Sequence, residues 1–131
     1  MERHAVSLDK EPTILGVEFI GIVNKIGRME DFSCKSGTIF SKEKGEMFSM
    51  FFRLQYSLQK DFDKELGSVD YSIVERGNYK IISIPIDSHI MVIATYKDVN
   101  HSEIIHKVRD LVQNSLDNNI KATYEKTIMT I

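Results

Sequence analysis

The stretch SVDYSIVERGNYKIISIPIDSHIMVIATY, residues 68–96, decides the fold because it contains three strand patterns separated by tight turns. The strands are predicted at residues 69–75, 79–86 and 89–96, joined by the turn sequences RGN and DS, which indicates a meander. The first strand alternates polar and apolar residues, as an edge strand often does. The other two are apolar on both faces, so we expect them in the centre of a sheet that is covered on both sides.

Two more strands precede this meander. Residues 17–24, VEFIGIVN, form a β-branched and aromatic run, and the more polar MEDFSC follows at residues 29–34. A turn between them, with Gly27 at positive φ, predicts a hairpin. The charged second strand suits an edge that is exposed to water.

Two helices complete the pattern. Residues 46–66 carry apolar side chains at three- and four-residue steps and end before Gly67. The second helix is predicted from a cap at Asn100 to Leu116. One helix on each face of the sheet gives an α+β fold of three layers, α/β/α, around a five-stranded antiparallel sheet of order 2-1-5-4-3.

The 131 residues predict one domain, residues 16–116, between a short N-terminal segment, 1–15, and a C-terminal tail, 117–131. A net charge of −2 provides no general attraction to nucleic acid. No apolar stretch reaches the roughly 18 residues that a membrane span needs, so we expect no membrane insertion. With Cys34 as the single cysteine and no signal-peptide pattern, we expect a cytoplasmic protein.

The residues with reactive or ligating side chains do not form a catalytic or metal-binding pattern. His101 and His106 are five positions apart and do not share a helix face, and His89 has no second ligand at a suitable spacing. Cys34 has no identifiable base, and the glycines form neither a phosphate-binding loop nor a dinucleotide fingerprint. We therefore expect no enzyme activity, no metal and no cofactor.

The long helix has an unusually wide apolar arc of about 200°. Met47, Phe51, Leu54 and Leu58 form its central stripe, and Phe48, Phe52 and Tyr56 widen it on one flank. One sheet surface does not normally cover so wide an arc. We expect the central stripe to face the sheet and the aromatic flank to face either a partner or a neighbouring loop around Ile39 and Phe40.

Three segments resemble the roadblock/LC7 domain of the profilin-like fold group. They are LGVEFIGIVNKIGRM at residues 15–29, GSVDYSIVERGNYKIISI at 67–84 and HIMVIATYKDVNHSEIIHKVRDLV at 89–112. The first is similar to that family's opening hairpin, the second to its third and fourth strands, and the third to its last strand and closing helix.

The resemblance implies a non-enzymatic scaffold or regulatory module that forms a homodimer or pairs with a related domain. The third strands would pair edge to edge while the long helices pack together, and a small Ras-like GTPase is the implied partner class. The dimer interface would then consist of Phe48, Phe52, Tyr56, Val69, Tyr71 and Ile73. A second hypothesis is a small-molecule or signal sensor of the profilin-like or PAS-like type, with its ligand between sheet and helix.

Overall fold

The computed structural model describes residues 16–35 and 40–113. The strands are β1 (Val17–Val23), β2 (Met29–Cys34), β3 (Ser72–Glu75), β4 (Tyr79–Ile86) and β5 (His89–Tyr96), and the helices are α1 (Lys42–Lys60), α2 (Asp63–Leu66) and α3 (His101–Gln113). All strand pairs are antiparallel, and the sheet order β2-β1-β5-β4-β3 confirms the predicted topology. The predicted segments 1–15 and 117–131 lie outside the described residues.

The three inner strands are apolar on both faces, so each face of the sheet needs its own cover. On one face, Ile104, Ile105 and Val108 of α3 are buried in a cluster with Ile20 and Ile93 of the sheet. On the other face, Phe52 of α1 completes a second cluster, whose buried sheet residues are Phe19, Val23, Cys34, Ile81, Ile90, Val92 and Ala94. The sheet therefore lies between two separate apolar layers, as the sequence predicted.

The β1–β2 hairpin is closed by Asn24 and Gly27. The Asn24 side-chain oxygen accepts hydrogen bonds from the backbone nitrogens of Ile26 and Arg28, each at 3.0 Å. Gly27 has φ of +88°, as predicted, and a Cβ added there would lie 2.8 Å from the Met50 sulfur. The positive φ favours glycine at position 27, and a larger residue would also require the end of the Met50 side chain to move.

Helix α1 begins four residues earlier than predicted and is shorter at its far end. Its cap is Ser41, whose hydroxyl accepts a hydrogen bond from the Lys44 nitrogen at 3.2 Å. Beyond Lys60, the nitrogens of Asp61 and Phe62 bond to carbonyls three residues back, which tightens the chain before α2. The predicted stop is correct, since Gly67 ends α2 with φ of +85°.

The predicted orientation of α1 is wrong. Phe52 is 3% exposed and packs on the sheet, whereas Phe51 is 51% exposed and points away from it. Ser49 lies on the inner side with Phe52 and is buried as well; its hydroxyl is satisfied by the Gly45 carbonyl at 3.1 Å. The inner side of α1 is thus formed by Phe52 and Ser49, with Phe48 and Tyr56 half-buried beside them. The central stripe, Met47, Phe51, Leu54 and Leu58, consequently faces outward.

Strand β3 is also shorter than predicted, because it begins at Ser72 and not at Val69. The residues before it contact α3 through side chains. Arg109 forms an ion pair with Asp70 at 3.4 Å, and its guanidinium lies 5.4 Å from the centre of the Tyr71 ring. Helix α3 therefore positions the chain that leads into this edge of the sheet.

The adjacent rings Phe51 and Phe52 provide a direct test of the α1 orientation. Phe52→Ala should lower the free energy of unfolding by about 3–5 kcal/mol, because it leaves a cavity in the apolar layer. Phe51→Ala, the matched control, should change it by less than about 1 kcal/mol in dilute protein. Urea unfolding measures both values, and equal effects of the two substitutions would contradict this orientation.

Candidate functional site

The outer face of α1 and the turn after it carry a continuous row of exposed apolar side chains. We call these residues the outer row: Met47, Phe51, Leu54, Leu58 and Phe62. Each of their side chains is between 51% and 66% exposed. Their three- and four-residue spacing places them along one side of the helix, and from Met47 to Leu58 the row runs about 16 Å. Met50 lies beside the row and Leu66 beyond its end; both are also exposed.

Such a row is unfavourable on an isolated chain in water. Exposed apolar side chains are normal when scattered, but a contiguous apolar patch marks an interaction site or an aggregation hazard. Each square ångström of this surface that a partner removes from water contributes about 25 cal/mol. The row therefore has the composition of a protein-binding surface.

The C-terminal end of α1 lies close to the edge strand β3. Gln59, near the end of α1, donates a hydrogen bond from Nε2 to the Ser72 hydroxyl at 3.3 Å, which ties the helix to the first residue of β3. In the described part of the chain, β3 is the end of the sheet and pairs with β4 alone. The helix that carries the outer row thus ends beside the edge strand.

The structure places the six predicted interface residues in two different surroundings, three on the inner side of α1 and three at or before β3. Phe48 and Tyr56 are half-buried against the same layer as Phe52, so the three residues predicted on α1 face their own sheet. Phe48 and Phe52 meet edge to face, with ring centres 4.9 Å apart. Tyr56 is covered further by Arg53 and Lys60, whose cationic groups each lie 5.5 Å from its ring centre. On α1, the outer row replaces the aromatic flank as the candidate interface.

The other three predicted residues lie at or before β3. Ile73 is half-buried and packs against the α3 side of the sheet, opposite α1. Val69 is half-buried and precedes the strand, and Tyr71 is 42% exposed beneath Arg109. Tyr71 is the one of these three that presents a largely accessible ring next to the edge strand.

A signal in the sequence distinguishes the two sides of α1. Counting from Phe52, both Phe48 and Tyr56 lie one turn away, and the small Ser49 falls on the same side. In the structure Ser49 is buried on that side, together with Phe52. By hydrophobicity alone, the outer row is the better candidate for the buried face of α1. This explains why the orientation of the helix was predicted wrongly.

The most deeply buried charged group is Glu18, at 1% exposure near the start of β1. Its carboxylate accepts hydrogen bonds from the Tyr96 hydroxyl at 3.1 Å and from the Cys34 thiol at 3.8 Å. The hydrogen bond to Glu18, followed by its negative charge, raises the pKa of Tyr96 above the ordinary value of about 10. These contacts satisfy a buried carboxylate and link β1, β2 and β5.

The three histidines among the described residues have separate partners. His89 lies 3.3 Å from the Glu30 carboxylate, His106 lies 3.8 Å from Asp110, and His101 lies 3.2 Å from the Lys80 ammonium. Within residues 16–35 and 40–113, no three His, Cys, Asp or Glu side chains are grouped so that they could hold a metal ion. None of the helices described is both long enough and apolar enough to cross a membrane.

Comparison with solved structures identifies the architecture. The chain is similar to a roadblock/LC7 domain from Streptomyces avermitilis, with a TM-score of 0.56 at 9% identity, covering 78% of this chain and 90% of that one. It is similar to Myxococcus xanthus MglB, with a TM-score of 0.59 at 12% identity over 86% and 76% of the two chains. It is also similar to the gliding protein MglB from Thermus thermophilus, with a TM-score of 0.60 at 7% identity, covering 97% of this chain and 86% of that one.

No protein-family model matches the sequence, and no curated protein matches it. At 7–12% identity, the structural similarity shows the fold and nothing finer. The fold is that of a roadblock/LC7 domain, which confirms the predicted resemblance.

The Tyr96–Glu18 hydrogen bond makes stability depend on pH in the alkaline range. The folded chain raises the pKa of Tyr96. The contribution of this hydrogen bond to the free energy of unfolding is therefore complete below about pH 10 and decreases as the pH rises toward the raised pKa. At pH 8, the Tyr96→Phe variant should be less stable than the wild type, because Glu18 loses a hydrogen-bond donor. Between pH 8 and pH 11, its free energy of unfolding should decrease by less than that of the wild type. Urea unfolding at both pH values tests this; parallel losses in the two proteins would contradict it.

Proposed function

We propose that this chain of roadblock/LC7 fold is a dimerising scaffold or regulatory module that acts by binding and has no catalytic activity of its own. The observation that carries the proposal is the outer row on α1, an exposed apolar surface that the chain's own sheet does not cover. The partner is a second copy of the chain or a related domain of the same fold.

A second copy suits the shape of the surface. Two identical helices that cross about a two-fold axis each offer the same row to the other, so one row is enough to build the interface. Aliphatic and aromatic side chains at three- and four-residue spacing form the ridges that pack between neighbouring helices. Phe51 and Leu54 lie near the middle of the row and would form the centre of the contact.

The edge strand β3 supports the same arrangement. The Gln59–Ser72 hydrogen bond keeps α1 beside β3, so a partner on the outer row would also lie near this edge. Pairing of two β3 strands would extend the sheet across the dimer and use backbone groups that an edge strand leaves unpaired. Tyr71 would lie at the margin of that contact.

The dimer is tested by substituting the centre of the outer row. Wild-type protein should have a mass of about 30 kDa by light scattering, twice the 15.1 kDa of one chain. Phe51→Asp with Leu54→Asp should give a folded monomer, because two carboxylates would be buried at the contact without partners. Lys107→Asp, an exposed change on α3, is the control and should remain dimeric. A monomeric wild type, or a double variant that stays dimeric, would refute this interface.

The partner class that the resemblance implies is a small Ras-like GTPase, and we propose that the dimer, as a composite surface, binds it. Wild-type protein should bind such a GTPase from the same organism in one nucleotide state, GDP or GTP analogue, more tightly than in the other. The monomeric double variant should lose that binding, whereas Lys107→Asp should keep it. Interferometry with both nucleotide states measures this; equal binding by the double variant would show that dimerisation is not required.

A further inference from the structure

We infer that the groove between the β1–β2 hairpin and the first half of α1 is a binding site for an amphipathic carboxylate, an acyl chain with an anionic end. This goes beyond the proposed dimer, which uses the outer row; the groove borders that row at Met50. It gives a structural basis to the sensor hypothesis that the sequence left open.

The groove has the size and lining of a small-molecule site. Its volume is about 720 Å³, within the range of about 300–1,000 Å³ that is usual for ligand pockets. Its apolar lining comes from the sheet, from the residue before the Ser41 cap and from α1 itself, namely Phe19, Met29, Phe32, Phe40, Phe48 and Met50. Aromatic and thioether side chains of this kind pack well against a flexible hydrocarbon chain.

The charges of the lining specify an anion. Arg28 and Lys42 both line the groove, and in the described part of the chain neither side chain lies within ion-pair distance of a carboxylate. Glu46 also lines it, one helical turn from Lys42, so these two charges offset each other and Arg28 leaves the groove with a net positive charge. A guanidinium group binds a carboxylate through two parallel hydrogen bonds, which suits an acyl chain that ends in one.

Gly45 keeps the wall of the groove open. It lies in the first turns of α1, where glycine costs about 1 kcal/mol relative to alanine. A Cβ added there would meet no heavy atom closer than the Phe40 Cβ at 3.9 Å, so packing does not require glycine at this position. A larger side chain at position 45 would instead occupy the groove.

The test is calorimetric titration of the full chain with sodium dodecanoate below its micellar concentration, beside 1-dodecanol and dodecyltrimethylammonium. Dodecanoate should bind one to one and about tenfold or more tightly than either comparator, which corresponds to about 1.4 kcal/mol for the charge contact. Amide NMR shifts should concentrate at Gly27, Arg28, Lys42 and Gly45. No saturable binding, equal affinity for dodecanol, or shifts spread over α3 would overturn the inference.

Two sets of variants test the wall and the charges separately. Gly45→Leu should weaken dodecanoate binding by about tenfold or more, because its side chain occupies the groove, while Gly77→Ala, a control with nothing within 4 Å, should not. Arg28→Gln with Lys42→Gln should reduce dodecanoate affinity to that of dodecanol or below it, because Glu46 then gives the groove a net negative charge, and should leave dodecanol binding unchanged. Unchanged dodecanoate binding in either set would overturn the site, and the wild-type NMR shifts decide the matter if Gly45→Leu does not fold.

The oligomeric state distinguishes this site from the proposed dimer. Gly45→Leu should elute with the wild type, and the Phe51→Asp, Leu54→Asp variant should still bind dodecanoate. If a second copy occupied the groove, Gly45→Leu would change the elution position and dodecanoate would compete with dimerisation. Either result would overturn the ligand inference and indicate that the groove binds a second copy of the chain. Neither result would decide whether the outer row is a dimer interface.

Discussion

The structure depends on a sheet whose inner strands are apolar on both faces. Ile20, Ile82 and Ile93 belong to the layer under α3, while Val92 and Ala94 belong to the layer under α1. Neither layer can face water without a large loss of burial free energy, so the chain must place a helix on each side. This requirement fixes the three-layer architecture and makes α1 a cover for the sheet before it can serve any other purpose.

Helix α1 meets that requirement with only one of its sides. The small Ser49 and the ring of Phe52 provide the close contact, and the half-buried Phe48 and Tyr56 fill the space around them. The opposite side carries the outer row, and the helix start borders the groove. One helix therefore combines a core face, a candidate protein-binding face and a candidate ligand-binding end, and Phe48 and Met50 lie where these surfaces meet.

The topology was predictable from particular residues. Isoleucine and valine on both faces of residues 79–96 identify central strands, and the charged MEDFSC identifies an edge. Asn100 caps α3 as expected, with its side-chain oxygen 3.0 Å from the Ser102 nitrogen. The inner side of α1 was not predictable from hydrophobicity, because both sides are apolar and the choice depends on how closely the backbone can approach the sheet. Strand β3 begins at Ser72, later than local periodicity predicts, and the residues before it contact Arg109 of α3, which is distant in sequence.

The sequence by itself determined the order of the five strands and the two long helices, because strand and helix periodicities are local properties of the chain. It did not show that the predicted helix over residues 46–66 divides into α1 and α2. It also determined that α1 has more apolar surface than one sheet can cover. Only the tertiary structure decided which part of that surface remains exposed, since the contact of Ser49 and Phe52 with the sheet turns Met47, Phe51, Leu54 and Leu58 outward. The groove is likewise a tertiary feature, formed where a hairpin and a helix that are separate in sequence lie next to each other.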